Sequence, residues 1–258
     1  MSIRGQSLAA ATAIAFVAST TSLIPLVTPS ASAATTPATP TREPSICSLA
    51  SGNRTTVAAI NGKEIKVRTN PSDTAPIKTL KNWVDVKGRV VFTVRSQTAD
   101  WIDVNVPARP NGSHGYIRAS DVTTFQHSCR IEIQLSTKKL RAYVGDDLLL
   151  EETVAIGQPK YPTPTGTFFT TSLIRPIKRV GKKKVADPVF GPYAYTLSGF
   201  SPNLETFGGG VGTLGIHGTN QPTLLGQEVS HGCIRMSNSA ITKLAKILPV
   251  GVPVEIKA

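Results

Sequence analysis

Ile131-Glu132-Ile133-Gln134-Leu135, then Ser136-Thr137-Lys138-Lys139, then Leu140-Arg141-Ala142-Tyr143-Val144: two alternating apolar and polar runs flank a polar break. Successive side chains of a strand point to opposite faces, so each run has one face for a core and one for solvent. Two such runs joined by a short turn read as a β-hairpin. Gly145-Asp146-Asp147 turns the chain again, into the apolar-rich residues 148–156, and the whole reads as a β-meander. Pro162-Thr163-Pro164-Thr165-Gly166 is too rich in proline for a strand interior and reads as a loop, after which residues 167–173 resume as a strand. Residues 175–184 are basic and predict a hairpin with its tip near Gly181. A solvated hairpin whose lysines keep an edge soluble is favoured over a dedicated anion site. Helical period occurs in one place, where Ile241, Leu244, Ala245 and Leu248 fall at i, i+3, i+4 and i+7. Ser237, Asn238 or Ser239 would cap that helix, Pro249 and Gly251 would end it, and residues 252–256 would form a closing strand.

Upstream, residues 57–122 also read as short strands. Ile65-Lys66-Val67-Arg68 alternates and Asn70-Pro71-Ser72-Asp73 breaks it; residues 90–94 and Trp101-Ile102-Asp103-Val104 follow, then the turn Asn111-Gly112 and the strand Tyr116-Ile117-Arg118. Strict alternation places Trp101 and Asp103 opposite Ile102 and Val104. With no convincing helix here, a small barrel or sandwich is expected. His114 and His127 show no partner in the sequence and read as ordinary surface histidines.

The first residues are of another kind. Arg4 precedes an uncharged stretch, residues 8–27, and Ala31-Ser32-Ala33 follows as a signal-peptidase pattern. Residues 1–33 therefore read as a signal peptide. The alternative is an uncleaved membrane anchor, against which Thr, Ser and Pro25 dilute the stretch. Residues 34–45, rich in Thr, Ala and Pro, read as a linker that cannot bury enough apolar surface to fold. The expected organisation is then a β domain over residues 46–126 and a second domain over residues 128–257. Export is expected, with contact to a membrane only through an uncleaved signal segment. A net charge of +12 and a pI near 9.8 suit an anionic surface such as wall polymers or phospholipid head groups. No nucleic-acid motif is present.

Export puts the three cysteines where disulfides persist. Cys47 and Cys129 bracket the first domain and form the natural pair, which leaves Cys233 as a lone thiol. Cys233 lies in Ser230-His231-Gly232-Cys233-Ile234-Arg235-Met236, just before the expected helix, and Leu214-Gly215-Ile216-His217-Gly218-Thr219 lies just upstream. Two of the four histidines thus accompany the unpaired cysteine. A thiol is a useful nucleophile only as thiolate, and an imidazole can take its proton while a helix N-terminus favours the anion. Gly232 allows a tight turn, and the N–H groups of Gly232 and Cys233 are candidate oxyanion donors. The carbonyl of Gly218 could orient the His217 ring in place of an acid. Three other readings stay open on residues alone: an inert buried thiol, a zinc site from His217, His231 and Cys233 lacking a fourth ligand, and a redox thiol lacking a resolving cysteine.

Ile216-His217-Gly218 followed by Ser230-His231-Gly232-Cys233-Ile234-Arg235-Met236 resembles the signature of the L,D-transpeptidase catalytic domain of YkuD type. The stretch from Pro162 to Phe168 resembles that family's loop after the first sheet, and residues 131–144 resemble its opening hairpin. Val67-Arg68-Thr69 and Gly115-Tyr116-Ile117-Arg118 to Asp121-Val122 resemble bacterial SH3-like domains. The implied fold is mainly β: an SH3-like barrel followed by a β-sandwich catalytic domain with one clear C-terminal helix. The implied activity is peptidoglycan cross-linking. Cys233 would attack the third residue of a tetrapeptide stem, expel D-alanine, and pass the acyl group to an acceptor amine in a 3→3 cross-link. By the same resemblance His217 is the proton donor and acceptor, Gly218 orients it, Gly232 serves the oxyanion hole, and Ser230, His231 and Arg235 bind substrate. The resemblance implies no cofactor and no metal, and implies acylation of Cys233 by carbapenems. An L,D-carboxypeptidase-type hydrolase and a non-catalytic wall-binding protein are the alternatives. Some relatives have Asn where Arg235-Met236 follows Ile234 here.

Overall fold

The structure is a computed structural model that describes residues 46–76, 78–82, 90–206 and 210–258. The expected signal peptide and linker lie outside the described residues. A helical turn absent from the sequence-based expectation, α1 (Ile46–Leu49), begins the description. Seven strands follow: β1 (Thr55–Ile60), β2 (Glu64–Val67), β3 (Lys78–Lys81), β4 (Val91–Gln97), β5 (Trp101–Asn105), β6 (His114–Arg118) and β7 (Val122–His127). Five of them form a sheet in the order β6-β5-β4-β1-β7, and β2 pairs with β3 as a separate ribbon. Their core holds Ile60, Ile65, Phe92, Ile102 and Ile117, all at most 1 % exposed.

The remaining strands are β8 (Cys129–Gln134), β9 (Lys139–Val144), β10 (Asp147–Thr153), β11 (Ile156–Gly157), β12 (Gly166–Ile174), β13 (Ile177–Val180), β14 (Lys183–Ala186), β15 (Ala194–Phe200), β16 (Thr213–His217), β17 (Glu228–Ser230), β18 (Ile234–Arg235) and β19 (Pro253–Lys257). Eight of these make one sheet in the order β10-β9-β8-β19-β12-β15-β16-β18. The meander of residues 131–156 is its β8-β9-β10 edge, and the closing strand β19 enters between β8 and β12, parallel to β8. The fold is mainly β, with α2 (Asn238–Ile247) as the second helix.

Helix α2 lies where the apolar period placed it. Ser237 is its N-cap, its hydroxyl accepting from the Ala240 N–H at 3.2 Å, and Ala240, Ile241, Leu244 and Ala245 are buried. At the other end Tyr195 of β15, fully buried, directs its hydroxyl at the carbonyls of Leu244 and Leu248, 3.2 and 2.9 Å away. A buried phenol thereby finds acceptors, and the Leu248 carbonyl at the helix end gains a partner.

The two β modules share part of one core. Val57 of β1 and Val91 of β4 pack with the larger cluster built on Ile131, Ile133, Leu140, Leu244 and Val254. Cys47 and Cys129 are joined by a disulfide across a sequence separation of 82, with Cα atoms 5.2 Å apart. On the loop-entropy model a crosslink of that span stabilises by about 4–5 kcal/mol. The described residues between 46 and 258 form a single compact unit.

Two histidines depart from their reading as unpartnered surface residues. His127 is 1 % exposed and sits at the junction of the modules. Its Nδ1 accepts from the Cys129 N–H at 3.2 Å, so Nε2 carries the proton and donates to the Gly251 carbonyl at 3.2 Å. His114 is exposed, but its Nδ1 lies 3.0 Å from Asp103, which Arg95 also meets at 3.3 Å. Asp103 is itself only 8 % exposed, so β5 does not keep the clean inside–outside alternation its sequence suggests. These partners come from other strands and are invisible to local pattern.

Gly251 fixes the same junction. Its φ is +85°, and a Cβ placed there would stand 2.7 Å from both Val57 methyl carbons. Gly251→Ala is therefore expected to destabilise by about 2 kcal/mol or more through combined strain and overpacking. Urea unfolding checks this, and an unchanged midpoint would remove Gly251 as a constraint on module packing.

Candidate active site

Strands β16 and β18 run parallel, pairing Ile216 with Ile234 and His217 with Arg235. The Met236 N–H donates to the His217 carbonyl at 2.9 Å and extends the pairing toward α2. This brings the two sequence motifs side by side. A narrow cavity of about 40 Å³ lies at that end of the sheet. It is lined by His217, Ser230, His231, Cys233 and Arg235, with Val189, Phe190, Leu204, Gly212 and Thr213 as the other wall.

His217 is 3 % exposed, and its Nδ1 lies 2.6 Å from the Gly218 carbonyl. A carbonyl oxygen only accepts, so Nδ1 is the protonated nitrogen and Nε2 keeps its lone pair. The Phe190 ring packs beside the imidazole with centroids 4.9 Å apart. Burial, opposed by the Gly218 carbonyl and reinforced by the Arg235 charge, pushes the His217 pKa down to about 4. Gly218 itself is sterically required. A Cβ there would stand 2.2 Å from Asn238 Oδ1 and 3.1 Å from Gly191 Cα. Asn238 Oδ1 accepts from the Thr219 N–H at 2.9 Å, tying the first residue of α2 to the segment that presents His217.

The nucleophile loop is closed by its own side chains. The Ser230 hydroxyl donates to the Cys233 carbonyl at 2.6 Å and accepts from the Gly232 N–H at 3.1 Å. The Gly232 φ of +111° suits glycine, and its carbonyl accepts from the Thr163 hydroxyl at 2.9 Å. Thr163, in the proline-rich loop, also accepts from the Gly157 N–H at 2.9 Å and so ties three segments together. With its N–H directed at Ser230, Gly232 is not free to meet an oxyanion in this conformation. Its positive φ shapes the turn that presents Cys233.

Cys233 carries the free thiol. Burial raises its pKa above the ordinary thiol value, while a hydrogen bond from the Gly215 N–H and the Arg235 charge oppose the rise. Burial therefore prevails over the stabilisation of thiolate expected from the neighbouring imidazole and helix. Both shifts favour the uncharged forms, thiol and neutral imidazole. Arg235 is fixed through its backbone, exchanging hydrogen bonds with Ala155 at 2.8 and 2.9 Å, and its Nε is buried without a partner among the described residues. The His231 ring lies 5.0 Å from the Tyr161 ring at 33°. No group of three or more His, Cys, Asp or Glu side chains among the described residues is placed to hold a metal ion.

The structure thus gathers every residue singled out around Cys233 and His217. Thr163, Asn238, Phe190 and Leu204 were not legible as site residues, because their roles depend on loops meeting across the sheet.

The family model of the L,D-transpeptidase catalytic domain, YkuD, matches residues 128–256, half of the chain. The chain belongs to this family. Its catalytic region is 34 % identical over 127 residues to YkuD of Bacillus licheniformis and 30 % identical over 126 residues to YkuD of Bacillus subtilis. Each match covers 49 % of this chain and 64 % of the relative, so the chain spans less than two thirds of those relatives' length. Among solved structures, an L,D-transpeptidase from Mycobacterium tuberculosis overlaps with a TM-score of 0.42 at 15 % identity, covering 78 % of this chain and 81 % of that one. The catalytic domain of an Enterococcus faecium L,D-transpeptidase overlaps at 0.36 and 23 %, covering 50 % and 95 %. With TM-scores this low, the family assignment rests on the sequence match.

The depressed His217 pKa has a consequence for stability. Between pH 6.5 and about 4 the unfolded chain binds a proton at this residue that the folded chain refuses, so stability present above pH 6.5 is lost as pH falls toward 4. His127, also lowered by burial, acts in the same direction. His217→Asn should remove its own share, about 3 kcal/mol at most, and flatten the profile relative to the parent. Chemical denaturation at pH 7, 5.5 and 4.5 checks this; parallel profiles for parent and variant would mean that His217 is not buried as the neutral form.

Proposed function

We propose that this chain is a secreted peptidoglycan L,D-transpeptidase that forms 3→3 cross-links through a thioester on Cys233. The observation that carries the proposal is the pair lining one cavity: a half-buried unpaired thiol and a buried imidazole whose Nδ1–H is held by Gly218, which leaves Nε2 as the base. In the first step the Cys233 sulfur attacks the carbonyl of the third stem residue, and His217 Nε2 takes the thiol proton. The tetrahedral oxyanion collapses, the amide C–N bond breaks, and the proton passes from His217 to the departing D-alanine amine. In the second step an acceptor amine attacks the thioester, His217 takes its proton, and the thiol is returned. Starting from a neutral pair suits this sequence. No charge is buried at rest, and the proton moves only as the carbonyl is attacked.

The Cys233 N–H is assigned as the oxyanion donor, since the Gly232 N–H is bonded to Ser230. Arg235, with a buried Nε lacking a partner among the described residues, is assigned to a carboxylate of the donor stem. Ser230 holds the loop geometry, and His231 flanks the donor peptide. Residues 46–126 are proposed to be an SH3-like module, and residues 1–33 a signal peptide that places the enzyme at the extracellular face. Water in place of the acceptor amine would make the same site an L,D-carboxypeptidase.

Intact mass after incubation with a carbapenem tests the nucleophile. One drug-sized adduct is expected on the parent protein and none on Cys233→Ala. A folded parent protein that gains no adduct would make Cys233 an inert core thiol and leave wall binding as the better reading. Incubation with a tetrapeptide stem and an acceptor stem then separates dimer formation from release of free tripeptide.

The wall itself is the proposed surface for the basic hairpin. Lys178, Arg179, Lys182, Lys183 and Lys184 are exposed and none enters an ion pair among the described residues. Arg179 stands directly opposite Lys184 across the ribbon. Like charges in that register repel, and an anionic polymer relieves the repulsion. Co-sedimentation with purified walls should weaken steeply between low and physiological salt, and Lys182, Lys183 and Lys184 changed together to Gln should weaken it at low salt. Sedimentation indifferent to both would return the ribbon to a solvated role.

A further inference from the structure

The segment that leaves β15 forms one wall of the catalytic cavity, through Leu204, and the chain returns to the cavity through Gly212 and Thr213. The Ser201 N–H donates to the Gly212 carbonyl at 3.0 Å, but the Ser201 hydroxyl is buried without a hydrogen-bond partner among the described residues. Asn203 donates to the Lys160 carbonyl at 3.2 Å, and further anchors come from the other β module.

Arg109 and Asn111, in the loop between β5 and β6, reach across to this segment. The two terminal nitrogens of Arg109 donate separately, one to the Ser201 carbonyl at 2.9 Å and the other to the Leu204 carbonyl at 2.9 Å. Its guanidinium also lies over the Phe200 ring, 5.0 Å from the centroid. Asn111 donates to the Phe200 carbonyl at 2.9 Å and accepts from the Phe200 N–H at 2.9 Å, a two-point pairing that imitates a strand neighbour. Four hydrogen bonds and a cation–π contact thus fix the backbone from Phe200 to Leu204. A planar fork that bridges two carbonyls sets both their spacing and direction, which a lysine ammonium does not.

We propose that Arg109 and Asn111 are positioning residues for the reaction at Cys233: the N-terminal β module holds the cavity wall in place, so the donor site is completed by both modules. This rests on the transpeptidase reading only for its effect on turnover. Leu204 shares the lining of this narrow cavity with His217 and Cys233, so a displacement of Leu204 alters how a peptide carbonyl is seated beside them. A wall that contacts ground state and transition state alike acts on binding, so its loosening raises KM before it lowers kcat.

Two readouts on the full chain test this independently. The first is hydrogen exchange, followed by mass spectrometry, of peptides covering residues 200–206. Arg109→Ala and Asn111→Ala should each accelerate exchange there by about tenfold, with Arg109→Lys intermediate. The control Arg95→Ala, which removes an ion pair to Asp103 elsewhere in the same module, should leave it unchanged. The second readout is steady-state kinetics with a tetrapeptide donor. Arg109→Ala should raise KM about tenfold with kcat altered less than about twofold, and Arg109→Lys should recover part of the loss. Exchange over residues 200–206 unaltered by both alanine variants overturns the proposal, whether or not the protein turns over. An active parent whose KM is unmoved by Arg109→Ala, despite faster exchange, overturns the link from wall to donor site. A parent inactive on every donor would instead contradict the transpeptidase reading, and the exchange result would still decide the clasp.

Discussion

The Nδ1–H of His217, held 2.6 Å from the Gly218 carbonyl inside the protein, is the contact on which the site depends. It selects a tautomer without using a carboxylate, and so leaves the imidazole uncharged in a place where a charge would be costly. Everything around it serves that geometry. Parallel pairing of β16 with β18 sets Arg235 beside His217 and brings Cys233 to the same cavity. Asn238, at the start of α2, holds the Thr219 N–H and leaves no room for a side chain at Gly218. Tyr195, at the middle of the sheet, fastens the far end of the same helix. The helix is therefore fixed at both ends against the strands that carry the chemistry.

Desolvation is the price of this arrangement, and it acts on the buried imidazole and the half-buried thiol. It lowers the imidazole pKa and raises that of the thiol, and so favours the uncharged form of each. A neutral pair has a smaller desolvation cost than an ion pair, and becomes reactive only when a carbonyl arrives to accept negative charge. Arg235 then has two effects. Its charge favours thiolate at Cys233, and it disfavours protonation of His217.

Much of this was legible in the residues. The meander of residues 131–156 and helix α2 are written in strict periods, two and then about three and a half, and local pattern suffices for both. The Cys233 and His217 motifs are legible because they are short, glycine-flanked and chemically unusual in a histidine-poor chain. Strand β15 was not expected, although Tyr195-Thr196-Leu197-Ser198 alternates apolar and polar and its burial alternates with it. Strands β17 and β18 are too short to carry a period. The ring of Phe190 against His217, the ties made by Thr163 and the burial of His127 arise between residues far apart in sequence. The two-module character of the cavity wall is of the same kind, since nothing near Arg109 in the sequence points to residues 201–204.

The pH dependence of Cys233 alkylation by a small neutral reagent tests the neutral resting pair most directly. The rate should rise with a single thiol ionisation above the ordinary cysteine range, with no reactive plateau at lower pH. A plateau of high reactivity extending below neutral pH would mean a preformed thiolate–imidazolium pair, and would contradict this account of the site.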